Sequence, residues 1–437
     1  MSDPKSLTVS LSIVGCVGVE TRKRARPGEP DLALYAQSGA QTLADGAEHS
    51  VLQRDHASDD GAVGNDVDPL VIMHPAPAAE EVSPVAEKPN HENRDQERHT
   101  IAYSLGNTSF YGTPSRAACH HASVRAVRVV DGQTRVVNLP APESAESARV
   151  VDVAVAGICG SDVHMLAEGN PGVTLGHEFS IRLSTGTVAA VRPTGACGSC
   201  RSCATGRIHL CDRAFGAFHG GVLDGAWADK VAVDPATIFP VASHVTPSAA
   251  ALVEPVAVAV HGLRRAPRGT VERIGIVGGG SVGLCAAFVL RSWGLDVDIE
   301  ARYVHQQRAA EEIGANVGLS GRYDIVVDAV GSQSALDAAV RACGSGGSIV
   351  ELGVFWDAVS LTREITLREI SLIPALFYGH EHDTSDFDHA IELIAARPEI
   401  ESILVTHRFP LEDVAEAVRV AGERSSGAIK VQLLIGE

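Results

Sequence analysis

The chain carries no surplus of basic residues. Its 36 Lys and Arg stand against 54 Asp and Glu, for a formal net charge of -18 and a pI of about 5.4. Nucleic acids and anionic membrane surfaces attract basic faces, so neither is an expected partner. No apolar run approaches the ~18 to 20 uninterrupted residues that a membrane span requires, and no internal repeat of solenoid length is present. Nor do the cysteines come in an even number: there are nine. Four crowd between Cys197 and Cys211, which suits a metal better than a disulfide framework. These absences leave an acidic, soluble, cytoplasmic protein, in a compartment reducing enough to keep thiolates. Its 437 residues allow two or three domains with ample core, at ~100 to 200 residues per domain.

Residues 1–122 differ in texture from the rest. They hold nine of the 21 prolines and runs such as EEVSPVAEKPNHENRDQERH, with little periodic apolar patterning, so a disordered extension is expected. SLSIVGC, ending at Cys16, superficially resembles a lipoprotein signal. Lys5 is its lone positive charge, Asp3 offsets it, and serines break the apolar stretch, so anchoring is not expected. From Val124 onward, VRAVRVV, TRVVNL and RVVDVAVAGICG read as strands of a β-rich domain. After a helical PSAAALVEPVAVAVHGLRRA, strand and helix patterns alternate through RIGIVGGGSVGLCAAFVLRSWG, YDIVVDAVG and GGSIVELGV, which implies βαβ units and a parallel sheet.

The clustered cysteines, Cys197, Cys200, Cys203 and Cys211, have the spacing C-x2-C-x2-C-x7-C. Four thiolates complete a tetrahedral structural zinc and leave no position open; a four-cysteine iron–sulfur cluster is the rival reading. In IVGGGSVG, Gly278, Gly280 and Gly283 form G-x-G-x-x-G between a strand and a helix, with Ser281 and Val282 opening the helix. Such a turn brings a pyrophosphate to a helix N-terminus. Cofactor type depends on the end of the next strand, in DVDIEARYVHQQR. Counting back from EEIGA puts Ala301 at the position where a carboxylate would bind the ribose of NAD. Arg302 follows and can meet the 2′-phosphate of NADP, so NADP is favoured, whereas a shift of one residue puts Glu300 there and reverses the choice to NAD. Cys159, in GICGSD, and His177, in GHE, offer a thiolate and an imidazole. With a carboxylate they would make a three-ligand zinc site with an open fourth position. Glu178 and Glu254 are both available for that role.

GICGSDVH, GHE, the four-cysteine lobe, VEPVAVAVHG, the glycine turn and the closing THRFPLEDVAEAVRV…SGAIKV together resemble the zinc-dependent medium-chain dehydrogenases, in particular the sorbitol and threonine dehydrogenase branch. The resemblance implies an α/β protein with a GroES-like β-rich catalytic domain over 123–262, completed by 401–437, and a Rossmann doubly wound parallel sheet over 263–400. By the resemblance Cys159 and His177 are catalytic zinc ligands with Glu178 or Glu254 as acidic partner, Ser161 bonds the substrate alcohol, and His164 relays its proton. The implied activity is hydride transfer between NAD(P) and a secondary alcohol such as a polyol, sugar or cyclitol; a simple aliphatic alcohol is second. A homodimer or homotetramer is expected. The alternatives are a non-catalytic NADP- and zinc-binding protein of the same fold and a zinc-independent quinone reductase. Two departures from the family pattern stand out. IRLSTGTVAAVRP replaces a longer strand-turn-strand, so a barrel strand near the catalytic zinc is expected to be missing or rerouted, and the loop between His164 and His177 is short.

Overall fold

The computed structural model describes residues 123–145, 147–267, 273–381 and 384–436. The expectations for 1–122, the Cys16 segment included, lie outside the described residues.

The first described element is the hairpin Ser123–Val130 and Gln133–Pro140. Its two-residue turn, Asp131 and Gly132, has φ of 52° and 72°, the left-handed pair whose twist suits a tight hairpin. Next comes Arg149–Ile158, the middle strand of a seven-stranded sheet. Along one edge it pairs antiparallel with Phe179–Arg182; along the other it pairs first with Lys230–Val233 and then with Lys430–Leu434. From Val153 to Ile158 every residue but Gly157 is a buried hydrophobe, because both faces of the strand are covered. Fully buried Trp227 packs in this core and donates from Nε1 to the Gly157 carbonyl at 3.1 Å.

The segment after GHE keeps its strands. Phe179–Arg182 pairs antiparallel with Val188–Val191, and the Leu183–Thr187 turn is closed by Leu183 N to Thr187 O at 2.9 Å and Gly186 N to Leu183 O at 2.8 Å. The expectation of a missing or rerouted strand is therefore corrected: the hairpin is shortened at its turn, and register needs only a tight connection.

A second, six-stranded sheet is parallel throughout. Ile274–Val277 is flanked by Asp298–Glu300 and Asn316–Val317 on one side, and by Tyr323–Asp328, Cys343–Glu351 and Ser371–Pro374 on the other. In chain order within this sheet that is 3-2-1-4-5-6, the doubly wound arrangement, with its ligand crevice at the carboxyl ends where the order reverses. The helix Ser281–Ser292 lies in the core, with Leu284 and Phe288 in the same buried cluster as Ile276 and Ile299. The helix Val253–Arg265, buried along most of its length, runs through the junction of the two sequence regions and carries Glu254 in its first turn. The strands Val405–Pro410 and Lys430–Leu434 then bring the chain back to the first sheet. The fold class is thus as expected, a β-rich domain joined to a Rossmann-like parallel sheet.

Candidate active site

Cys159 follows the central strand directly and caps the helix Gly160–Glu168, where its backbone N–H donates to Asp162 Oδ2 at 2.8 Å. Asp162 is completely buried, and its other oxygen lies 3.4 Å from His177 Nδ1. Ser161 Oγ sits 3.4 Å from His177 Nε2. Burial opposes charging the His177 ring, yet Asp162 and then Cys159 outweigh it and hold its pKa well above the ordinary histidine value.

Ligand atoms of Cys159, His177 and Glu178 lie within 4.8 Å of one another. Proximity does not make Glu178 available, however. Buried Lys430, from the last strand, donates to both of its oxygens, at 2.7 and 2.6 Å. Glu254, buried in the first turn of its own helix, lies outside that group but feels its charges: burial pushes its carboxyl up to about 7, with His177 and Lys430 opposing and Glu178 and Asp162 adding. A thiolate, an imidazole and a carboxylate are a donor set that suits zinc. The second carboxylate behind His177 fits too, since metal-bound histidines characteristically lean on an acid through their other nitrogen. Among the described residues, His177 Nδ1 and Asp162 Oδ1 are buried without a well-formed hydrogen bond. Asp162 was missed in the sequence although CGSD has the spacing of a capping box, in which the third residue answers the cap. Lys430 gave no such signal, being 252 residues from Glu178.

The structure brings Cys197, Cys200, Cys203 and Cys211 together, their sulfurs within 4.8 Å of one another. Cys197 Sγ is 3.9 Å and Cys200 Sγ 3.6 Å from Cys203 Sγ, against about 3.8 Å for sulfurs at the corners of a tetrahedron with ~2.3 Å zinc–sulfur bonds. All four thiols are free. Backbone N–H groups of Cys197 and Arg213 point at Cys211 Sγ, and that of Cys200 at Cys197 Sγ, at 3.3 to 3.4 Å.

At the glycine turn, Gly278 has φ of 104°, a conformation that L side chains rarely adopt. A β-carbon at Gly283 would stand 1.8 Å from the Gly278 carbonyl oxygen, so strand and helix meet this closely through glycine alone. Ser281 Oγ, at the start of the helix, is buried without a well-formed hydrogen bond among the described residues, and Val282 is half-buried beside it. Ala301 is buried over the turn, 2.7 Å from where a Gly279 β-carbon would lie. Glu300 and Arg302 are exposed on either side of it. His164 is exposed and stacks on Trp356, ring centroids 4.8 Å apart at 13°. The sequence reading had no signal for Trp356, which lies in the loop after the strand Cys343–Glu351.

Residues 146–243 match the family model of the alcohol dehydrogenase GroES-like domain, and residues 281–396 that of the zinc-binding dehydrogenases. L-galactonate-5-dehydrogenase of Escherichia coli is 28% identical over 310 residues, 64% of this chain and 88% of that protein. L-threonine 3-dehydrogenase of Saccharopolyspora erythraea is 28% identical over 337 residues, 67% of this chain and 94% of that protein. Among solved structures, a zinc-binding dehydrogenase of Sinorhizobium meliloti bound to NADP is 26% identical with a TM-score of 0.63, covering 72% of this chain and 99% of that one. L-idonate 5-dehydrogenase of Escherichia coli, 22% identical, shares the fold with a TM-score of 0.64 over 72% of this chain and 98% of that one. With both domain models matched in order on the two sheets just described, the chain is similar along both domains to the medium-chain dehydrogenase/reductase superfamily, which supports an NAD(P)-linked oxidoreductase of the alcohol dehydrogenase type.

Proposed function

We propose that this protein transfers a hydride between a secondary alcohol and NADP at a zinc centre held by Cys159, His177 and Glu254. The observation that carries the assignment is the paired state of Glu178: with both oxygens taken by Lys430, Glu254 is the carboxylate left to complete the ligand set. A zinc ion so held acts as a Lewis acid toward the alcohol oxygen. Ser161, beside His177, accepts the hydrogen bond of the substrate hydroxyl, and His164, at the solvent edge, passes the proton outward. The buried Asp162 keeps the His177 ring in one orientation. At the other end of the site Ala301 leaves room for a 2′-phosphate and Arg302 supplies its charge. Zinc in the four-cysteine lobe is architectural. The cytoplasm, where thiolates persist, is the compartment this metal chemistry suits.

Polyols and sugar acids come first in the substrate screen, because they name several relatives, sorbitol dehydrogenase of Bacillus subtilis among them. Simple aliphatic alcohols come second. The test is NADP reduction by zinc-loaded protein over such a panel, with Cys159→Ser as control. Turnover that disappears in the control supports the reading. Tight NADP binding without hydride transfer to or from any alcohol or ketone would sink it in favour of a nucleotide-binding protein.

A further inference from the structure

Three phenyl rings run outward from the centre. Phe218 lies against His177 with centroids 5.3 Å apart at 51°, Phe377 against Phe218 at 5.3 Å and 45°, and Phe215 against Phe377 at 5.3 Å and 54°. These tilted spacings are those at which aromatic rings attract. Phe215 and Phe218 bracket one turn of 3-10 helix in the β-rich domain, and Phe377 comes from the segment after the last strand of the parallel sheet, so both domains build the wall. The chain has ten phenylalanines among its 437 residues, and three of them are spent here. Phe377 holds φ of 56°, a backbone state uncommon for a bulky side chain, and Phe215 stays 57% exposed. Phe377 also packs along one side against the core of the parallel-sheet domain, whereas Phe215 reaches solvent.

We infer, resting on the hydride-transfer reading above, that the substrate is a secondary alcohol with an aryl substituent, or the matching ketone, whose ring lies along Phe218 and Phe377 with Phe215 at the mouth. A polyol chain laid on that wall would exchange water for phenyl faces and leave its hydroxyls without partners. An aryl ring there loses only apolar hydration and gains tilted ring contacts. In the reaction the carbinol C–H bond breaks and its hydride adds to the oxidised nicotinamide. The hydroxyl proton leaves for solvent, and the products are the aryl ketone, the reduced cofactor and one proton.

The probes are 1-phenylethanol, propan-2-ol and sorbitol with zinc-loaded protein and NADP, together with acetophenone titrated calorimetrically into the NADP-saturated protein, a pairing that cannot turn over. Expected is a kcat/KM for 1-phenylethanol about a hundredfold above that for sorbitol, and a 1-phenylethanol to propan-2-ol ratio that falls about tenfold in Phe377→Gly. Glycine suits that backbone, so the variant is expected to fold. Phe215→Ser, at an exposed position, should weaken acetophenone binding in the same sense. Sorbitol turned over in preference, with acetophenone binding indifferent to both substitutions, overturns the aryl assignment and leaves hydride transfer standing. Acetophenone binding that depends on Phe377 with no alcohol oxidised supports the wall and sinks hydride transfer instead.

Discussion

Lys430 decides how the acidic side of the centre is shared. Its ammonium is buried to 3% exposure and remains charged because Glu178 outweighs the burial that would neutralise it. Removing one partner of such a pair strands the other's charge, which costs about 3 to 5 kcal/mol. Lys430→Met should therefore lower stability by that order, and adding Glu178→Gln should recover part of it. A double variant no more stable than the single one would show that the pair is not the cause. A different acid–acid contact lies in the parallel sheet, where Asp328 and Glu351 are register neighbours on adjacent strands. Glu351 Oε1 and Oε2 and Asp328 Oδ2 are buried without a well-formed hydrogen bond among the described residues, a situation that one shared proton relieves. Burial, and then Asp328, pushes the Glu351 carboxyl up to about 9. The native state thus keeps a proton that the unfolded chain releases near pH ~4.3. Stability contributed by that proton is complete below this value and declines as pH rises toward the folded pKa. Glu351→Gln cannot ionise, so its melting temperature should gain on the wild type between about pH 5 and about pH 8. A constant difference across that range would refute the shared proton.

At the scale of the element, the turn from Gly278 to Gly283 and the strand end at Ala301 act as one unit. Ala301 lies over the turn while Glu300, next to it, is exposed, which favours Ala301 as the residue facing the adenosine ribose. Ala301→Asp with Arg302→Leu should invert a preference for NADP into one for NAD, since the new carboxylate repels the 2′-phosphate and accepts from the ribose hydroxyls. Titration of both cofactors against both proteins decides it, and tighter NAD binding by the wild type would move the role to Glu300. This unit was legible in the sequence because its chemistry lies in consecutive backbone: glycines placed between a strand and a helix admit few other readings. The same is true of the four cysteines, which are 14 residues apart end to end. Lys430 and Phe377 were not legible. Each meets its partner only when a distant part of the chain returns, and neither the periodicity of a strand nor the composition of a loop records which side chain will be met. The shortened hairpin after GHE misled for the opposite reason. Missing residues suggested a missing strand, whereas the pairing of Ser180 with Ala190 and Arg182 with Val188 needed no more chain than a five-residue turn.

For the whole molecule, the proposed reading gives one candidate metal centre an architectural role and the other a chemical one, and that division can be measured. The lobe from Cys197 to Cys211 has little regular structure: it contains one four-residue helix and one short 3-10 turn, with three of its four cysteines only half-buried. A closed four-thiolate site supplies folding energy directly to such a segment. The centre at Cys159, by contrast, is set among strands that are buried and paired without it. Protein purified without chelator should hold two zinc ions per chain. Cys200→Ser should lose one of them together with several degrees of melting temperature, while Cys159→Ser should lose the other with far less change in melting and a complete loss of hydride transfer. Elemental analysis beside thermal unfolding separates the cases. One zinc in the wild type would remove one of the two sites, and equal destabilisation by both variants would show that the Cys159 centre also holds the fold together.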